Sequence, residues 1–224
     1  MSRLAAPLLI GLIGAAILIA LGTWQVQRLA WKESVLAEID ARIGGAPEPL
    51  PVLVSPADQK YQPVVLQGTI GEDALFVLVS RKQVGPGWRV VSPFATADGR
   101  RILIDRGWIP HDARDAPRRA GAAEITGNLH WPDDRRDATP ENDVAGNIWY
   151  ARDIGAMAEA LDTKPLLVVV RSTTPADDGV TPLPVDSSGI PNDHLQYAIT
   201  WFALAAVWLT MTGVWIRRRL TETD

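Results

Sequence analysis

Two uncharged apolar stretches, one near each end of the chain, constrain this sequence most strongly. The first extends from Leu4 to about Gly22 and the second from about Tyr197 to Ile216, with about 170 mostly polar residues between them. Each stretch has the roughly 20 residues that an α-helix needs to cross about 30 Å of hydrocarbon. The sequence therefore predicts a two-span membrane protein with one extramembrane domain and both termini on the same side.

Basic residues beside the spans predict the orientation. Arg3 precedes the first span and three arginines follow the second at 217–219, whereas only Arg28 and Lys32 lie near the inner ends. Because basic residues collect on the cytoplasmic side, we predict cytoplasmic termini and an external domain. A cleaved signal peptide is the alternative, but the single basic residue before the span and its uncharged continuation to Gln27 favour a retained anchor.

Composition argues against several classes of function. Residues 24–196 hold 18 of the 22 basic and 24 of the 26 acidic residues, a net charge of −6, which argues against nucleic acid as a partner. The absence of Cys excludes disulfides, a covalent Cys-x-x-Cys-His haem attachment, iron–sulfur ligation and a thiolate copper site. With only three His and three Met, a copper chaperone is also disfavoured.

Hydrophobic spacing predicts the elements of the chain. One helix is expected from about Leu4 to Ile43, ending at Gly44-Gly45. Short β-branched runs then predict strands at 64–68, 74–79, 89–91, 102–106, 124–129 and 166–171. Asp98-Gly99 predicts a hairpin that pairs residues 89–95 with residues 101–107, and residues 153–161 predict one short helix.

The expected fold is thus a membrane protein in which two transmembrane α-helices flank a mostly antiparallel β (α+β) domain, a barrel or a sandwich. The predicted parts are a first span at 1–23, a helical extension at 24–45, a β-rich domain at 46–172, a polar return linker at 173–193, a second span at 194–216 and a basic tail at 217–224. We expect the return linker to be mobile in part, because it is rich in Pro, Asp, Gly and Ser.

Four segments, taken together, resemble the surfeit locus protein 1 family, the assembly factors of cytochrome c oxidase. Their order and spacing agree with that family over nearly the full length. The segments are Gly22-Thr23-Trp24-Gln25-Val26-Gln27-Arg28-Leu29-Ala30-Trp31-Lys32, Gly85-Pro86-Gly87-Trp88-Arg89-Val90-Val91-Ser92-Pro93-Phe94, Leu103-Ile104-Asp105-Arg106-Gly107-Trp108-Ile109-Pro110 and Asn192-Asp193-His194-Leu195-Gln196-Tyr197-Ala198-Ile199-Thr200-Trp201-Phe202. The family often has Asn where Asp105 stands and an aromatic such as Tyr where Trp88 stands.

The resemblance implies a factor that helps haem a to reach the catalytic subunit of the oxidase, in bacteria on the periplasmic side of the inner membrane. It also implies that haem a is held through the His at the mouth of the second span, which is His194 here, and that no reaction is catalysed. Haem a synthase is a further partner to consider, together with membrane lipid.

His194 also suits that role on physical grounds. It lies two residues after Asn192, a good N-cap, at the N-terminus of a membrane helix, where the helix dipole disfavours imidazolium and the adjacent Asp193 opposes that effect. A neutral imidazole is what an iron centre needs as an axial ligand. Without the resemblance, a lone interfacial His is more often a plain polar anchor.

Other residues complete the predicted site. Trp201 lies two turns below His194 and is a candidate to line one side of a porphyrin, while Arg28 and Lys32 are candidates for its propionates, with Arg106 a weaker one. Trp201, Trp208 and Trp215 follow His194 in seven-residue steps and are expected to face the small residues of the first helix, namely Gly11, Gly14, Ala15 and Gly22. Both groups also have an explanation that needs no ligand. The cluster at 24–32 would then be an interfacial aromatic belt, and the tryptophans would only fill the space between the helices.

Three functions remain open from the sequence. The first is a haem a chaperone that uses His194, and the second is an assembly scaffold that never holds haem. The third is an enzyme or sensing domain, which a deep polar pocket with convergent carboxylates or His inside the β domain would favour. His111 and His130 are predicted to be solvated surface residues, and Asp105-Arg106 to be an ordinary strand end.

Overall fold

The structure, a computed structural model, describes residues 2–81 and 85–221, without the side chains of residues 2–4 and 81. The side chain of Arg3 and the last three residues of the predicted basic tail therefore lie outside the described residues. The chain divides into two compact units, one formed by residues 1–38 and 187–224 and the other by residues 39–186.

Within the described residues, four helices and eight strands follow one another, with one 3₁₀ turn at His111–Ala113. The helices are α1 (Ser2–Ile43), α2 (Pro56–Gln59), α3 (Ile154–Ala160) and α4 (His194–Thr221). The strands are β1 (Glu48–Pro49), β2 (Pro63–Ile70), β3 (Leu75–Arg81), β4 (Gly85–Thr96), β5 (Arg101–Pro110), β6 (Gly121–His130), β7 (Ile148–Trp149) and β8 (Leu167–Thr174).

Helices α1 and α4 are long and apolar enough to cross a membrane. The predicted single helix through residue 43 is confirmed, and it ends where the N–H of Gly44 bonds to the carbonyl of Asp40 at 2.9 Å. Gly45 follows, as expected for the residues after a helix. The first unit is therefore a pair of apolar helices.

The second unit is built on a sheet that closes on itself. Strand β2 pairs with β6 on one side and with the end of β4 on the other, which closes the ring β2-β6-β8-β5-β4. Pairing is mostly antiparallel, while β1 with β2, β3 with β7 and β5 with β8 run parallel. The hairpin at Asp98-Gly99 is confirmed, with Ala95 opposite Arg101. The structure thus selects the barrel from the two predicted β architectures.

Strand β5 lies at the centre of this unit and is buried on both faces. Ile102 and Ile104 point into the barrel core, and Leu103 packs in a second cluster with residues of α3 such as Met157. This explains the continuous apolar run of the strand, because alternation with polar residues is expected only when one face meets water. The polar residues within this strand, Asp105 and Arg106, are consequently buried as well.

The last turn of α1 belongs to the barrel unit through a buried amide. Asn128 of β6 is fully buried, and its Nδ2 donates to the carbonyls of Ile43 at 3.0 Å and Tyr61 at 2.9 Å. The end of a helix leaves its last carbonyls without helical partners, so this side chain supplies one of the missing donors. The C-terminus of α1 is thereby fixed on the β domain.

The segment after β8 packs on the domain, although the sequence predicts only a polar linker there. Thr181 pairs with Trp108 in an isolated antiparallel bridge, and Val180 is buried. Gly107, at φ +126°, makes room for this segment, because a Cβ there would lie 2.2 Å from the carbonyl oxygen of Thr181. Only glycine takes that backbone conformation at so close an approach.

Candidate functional site

His194 is the first residue of α4, at the end of the apolar helix pair. The carbonyl of Asp193 accepts from the N–H of Tyr197 at 3.2 Å, so Asp193 and not Asn192 holds the N-cap position. The predicted cap was wrong by one residue. The Oδ1 of Asn192 is buried and has no hydrogen-bond partner among the residues that the structure describes.

The imidazole of His194 is hydrogen-bonded to a residue of the first helix. Its Nδ1 lies 2.8 Å from Oε1 of Gln25, whose side chain is buried between the helices with 8% exposed. A carbonyl oxygen can only accept, so the hydrogen bond requires the proton on Nδ1. In the neutral ring Nε2 then keeps a lone pair that can bind a metal ion.

Helices α1 and α4 run antiparallel, as four contacts in reverse order show. Gln25 meets His194, Gly22 meets Phe202, Gly14 meets Trp208 and Gly11 meets Thr212. A Cβ on Gly14 would lie 2.6 Å from the Trp208 ring, and the Trp208 indole nitrogen donates to the carbonyl of Gly11 at 2.9 Å. The small residues of α1 thus leave space for large residues of α4, an arrangement that is typical of helix packing in membranes.

The prediction that tryptophans of α4 face the small residues of α1 is correct for Trp208 but not for Trp201. Trp208 packs on glycines of α1 as expected, but Phe202 rather than Trp201 covers Gly22. Trp201 is half-buried, and Trp215 remains 40% exposed. Ala198 and Ala205 are the buried residues of α4.

Arg28 and Lys32 lie one and two turns beyond Gln25 on α1. Both side chains are half-buried, and the Arg28 guanidinium stacks over the Trp31 ring at 4.1 Å from its centroid. This cation–π contact leaves the N–H groups at the edge of the guanidinium able to donate to a carboxylate. Neither residue forms an ion pair with a carboxylate in the described part of the chain.

Arg106, the weaker candidate for a propionate, forms its hydrogen bonds with other residues of the β domain. It is buried, and its guanidinium forms two hydrogen bonds with Asp177, at 2.7 Å and 2.6 Å. It also donates to the carbonyl of Arg119 at 2.9 Å. We therefore exclude Arg106 from the site.

A second concave site lies within the β domain. A pocket of about 190 Å³ is lined by Tyr61, Arg89, His130 and Arg152, together with residues 183–186. Beneath it, Oδ2 of the fully buried Asp105 accepts from Nη1 of both arginines, at 2.5 Å and 3.2 Å. The strand end predicted to be ordinary is thus the centre of a buried ionic network.

His130 lines this pocket and was wrongly predicted to be solvated. Its ring stacks on Tyr61 with 5.6 Å between centroids, and its Nδ1 is buried. Burial lowers the pKa of His130 to about 4, and the charges of Arg152 and Lys60 act in the same direction. His111 is exposed, as predicted, and stacks on Trp88.

Comparison with known proteins decides which family this architecture belongs to. The sequence model of the SURF1 family matches residues 12–206. The chain belongs to the SURF1 family. It is 31% identical to surfeit locus protein 1 of Rattus norvegicus over 91% of this chain and 72% of the relative. It is 30% identical to the proteins of that name from Xenopus tropicalis and Homo sapiens, over 89% and 91% of this chain and 71% and 74% of the relatives.

The SURF1 match covers the helix contacts nearest to His194 and ends before Trp208. Gln25, Arg28, Lys32, His194 and Trp201 all lie inside the matched residues. The candidate site is therefore in the part of the chain that the family shares. The residues that the structure describes contain no group of three or more His, Asp or Glu side chains able to hold a metal ion.

Gln25 is the site residue that sequence reasoning missed. Its spacing contains a signal, because Gly11, Ala15, Gly22 and Gln25 follow one another at helical intervals and all four face α4. A polar residue on an otherwise small and apolar packing face needs a polar partner on the opposite helix. His194 is that partner.

Proposed function

We propose that this SURF1-family chain is a membrane-anchored assembly factor of cytochrome c oxidase that binds haem a through His194 and helps to insert it into the catalytic subunit. The observation that supports this most is the distance of 2.8 Å between Nδ1 of His194 and Oε1 of Gln25. A hydrogen bond donated from Nδ1 to this oxygen leaves the lone pair of the neutral ring on Nε2. A neutral imidazole nitrogen is a common axial ligand of haem iron. The family resemblance and this donor agree.

The residues around His194 suit the rest of such a cargo. Haem a combines an apolar ring and tail with two carboxylates, so it belongs at the boundary between lipid and water. The apolar start of α4, with Trp201 about 10 Å further along the helix by its rise, would contact the ring and tail. Arg28 and Lys32 would pair with the propionates, since both are cationic and free of carboxylate partners among the described residues.

The proposed location follows from the charges beside the spans. Arginines at 217–219 near the end of α4 support cytoplasmic termini and a periplasmic β domain in a bacterial inner membrane. A single Cys at Val52, which is 87% exposed, tests this because the chain has no other Cys. We expect a membrane-impermeant maleimide to label Val52→Cys in spheroplasts and to label Thr221→Cys only after lysis; the reverse pattern would invert the topology.

In this proposal the protein binds and delivers and catalyses no reaction. Its partners are the catalytic subunit that receives the haem, haem a synthase as the supplier, and membrane lipid around both helices. The net charge of −6 between residues 24 and 196 argues against nucleic acid. A scaffold that docks on oxidase subunits without holding haem is the alternative that the experiment must separate.

The test is the visible absorption spectrum of the detergent-purified full chain, co-expressed with the enzymes of haem a synthesis. We expect a haem a band in the wild type, its loss in His194→Ala at equal protein yield, and its retention in His111→Ala, the matched control in the β domain. Arg28→Ala should weaken retention while the protein stays folded and in the membrane. No haem in any variant, in cells shown to make haem a, would leave the scaffold as the function.

A further inference from the structure

Gln25 carries a buried amide on an apolar helix, where a polar group requires a hydrogen-bond partner. Only 8% of it is exposed, whereas its neighbours Trp24 and Val26 are 51% and 46% exposed. Leaving a buried amide without a hydrogen bond costs about 1–3 kcal/mol. Its side-chain oxygen meets this need through the contact with His194 at 2.8 Å.

This contact selects one of the two neutral forms of the imidazole. With Oε1 as the acceptor, the proton must sit on Nδ1. The lone pair is then on Nε2, at the part of the ring farther from Gln25. A free imidazole exchanges between both tautomers and rotates about its side-chain bonds. Either change would move the lone pair away from the position that Nε2 holds here.

We infer that Gln25 is a positioning residue for His194, which holds the imidazole as the Nδ1–H tautomer and presents Nε2 to an iron atom. The inference rests on the proposed function, in which His194 is the axial ligand. Histidines that bind metals usually donate their other ring N–H to an acceptor, and loss of that acceptor costs about 10- to 100-fold in metal affinity. Gln25 would be such an acceptor, supplied by the opposite membrane helix.

The position of Gln25 depends in turn on the packing of the helices one turn away. Gly22 lets the Phe202 ring approach so closely that an added Cβ would lie 2.7 Å from it. Ala198, one turn after His194, is buried in the same unit. The position of the metal-binding Nε2 is therefore determined by both helices together. A haem site built this way would respond to any change in how the two helices pack.

Nuclear magnetic resonance of the haem-free full chain in detergent tests the tautomer directly. The protein is labelled with ¹³C and ¹⁵N histidine and measured near pH 9, well above the ordinary histidine pKa of about 6.5. His194→Asn identifies the signal among the three histidines. We expect the Nδ1–H form in the wild type and in Gln25→Glu, which keeps an acceptor. Gln25→Leu should give a mixture, and Gln27→Leu, an exposed neighbour on the same helix, should resemble the wild type.

Titration of the same proteins with ferric haem a, followed by absorption, completes the test. We expect Gln25→Leu to lose about 10- to 100-fold in affinity, Gln25→Glu to recover most of it and Gln27→Leu to lose none. A tautomer unchanged in Gln25→Leu would overturn the inference whatever the haem result. A changed tautomer with unchanged affinity would overturn the positioning role alone, whereas no binding to the wild type would overturn the proposed function and this role with it.

Discussion

Arg106 and Asp177 form an ion pair through two hydrogen bonds, with only 2% and 8% of the two side chains exposed. Arg106 is the extra residue where the pairing register of β5 with β4 shifts, between Asp105 and Gly107. Asp177 lies just beyond β8, in the segment that the sequence presents as a polar linker. The pair therefore fastens this segment to the barrel.

Replacement of Asp177 should destabilise the β domain strongly. Asp177→Ala leaves the buried guanidinium of Arg106 without its counter-charge, which costs about 3–5 kcal/mol for a pair of this kind. The free energy of unfolding of the full chain in detergent, measured with denaturant, checks this value. Asp178→Ala, an exposed neighbour, should change it by less than about 0.5 kcal/mol. Equal stability of the two variants would mean that the pair does not hold the segment.

Asp105 holds two arginines with one oxygen, which leads to a graded prediction. Asp105→Ala would leave Arg89 and Arg152 without the shared acceptor and should cost about 3–5 kcal/mol. Asp105→Asn keeps an acceptor oxygen of the same shape, so it should cost clearly less. Thermal unfolding of both variants and of the exposed control Asp133→Ala gives the order; an Asn variant as unstable as the Ala variant would contradict it.

Features with a local signal could be predicted from the sequence. The apolar runs and the uninterrupted helical spacing predict α1 to residue 43, because length and periodicity are properties of neighbouring residues. Asp98-Gly99 predicts its hairpin for the same reason. The barrel itself required the pairing of β2 with β4 and β6, strands that no turn connects, and no local pattern specifies that closure.

The site was predicted in part, for a comparable reason. His194 could be named from the resemblance and from its place at the mouth of the second span, but its partner Gln25 is 169 residues away in sequence. His130 and Arg106 were misjudged because residues distant in sequence determine their surroundings. Tyr61 stacks on His130, and Asp177 neutralises the charge of Arg106. Charge and position in a strand do not reveal such partners.

His130 should make the stability of the domain depend on pH. Its folded-state pKa of about 4 lies below the ordinary histidine value of about 6.5, so the unfolded chain takes up a proton first as the pH falls. The stabilisation is therefore complete above about pH 6.5 and is lost as the pH falls towards 4, on the order of 2 kcal/mol after allowing for the partial exposure of the ring. The unfolding midpoint between pH 8 and pH 5 should fall less in His130→Gln than in the wild type.

The exposed His111 provides the control for that pH dependence. His111→Gln removes a histidine from the same domain but not from the pocket, so it should keep the full slope of the wild type. Asp134 also contributes to acid sensitivity: burial alone would raise its pKa, but the hydrogen bonds and charge of Arg152 lower it. Since that carboxylate is present in every variant, the difference between the two histidine replacements isolates His130. Parallel curves for the two would contradict the prediction.

The packing of the two membrane helices can be tested by a disulfide, because the natural chain contains no Cys. A Cβ on Gly11 would lie 3.2 Å from Cβ of Thr212, close to the 3.5–4.5 Å that disulfides span. We expect Gly11→Cys with Thr212→Cys to cross-link in membranes under mild oxidation. After proteolytic cleavage within the β domain, the two helical fragments should stay joined on a non-reducing gel and separate after reduction.

Gly213 supplies the matched control, since a Cβ there would meet nothing within 4 Å. Gly11→Cys with Gly213→Cys places the second thiol one residue further along α4, on the side turned away from α1, and should not cross-link. Efficient cross-linking of both pairs would show that the helices rotate freely against each other, and failure of the first pair alone would show that they meet through another face. Either result would also remove the basis for the contact between Gln25 and His194, because that contact depends on the same face of α1 meeting α4.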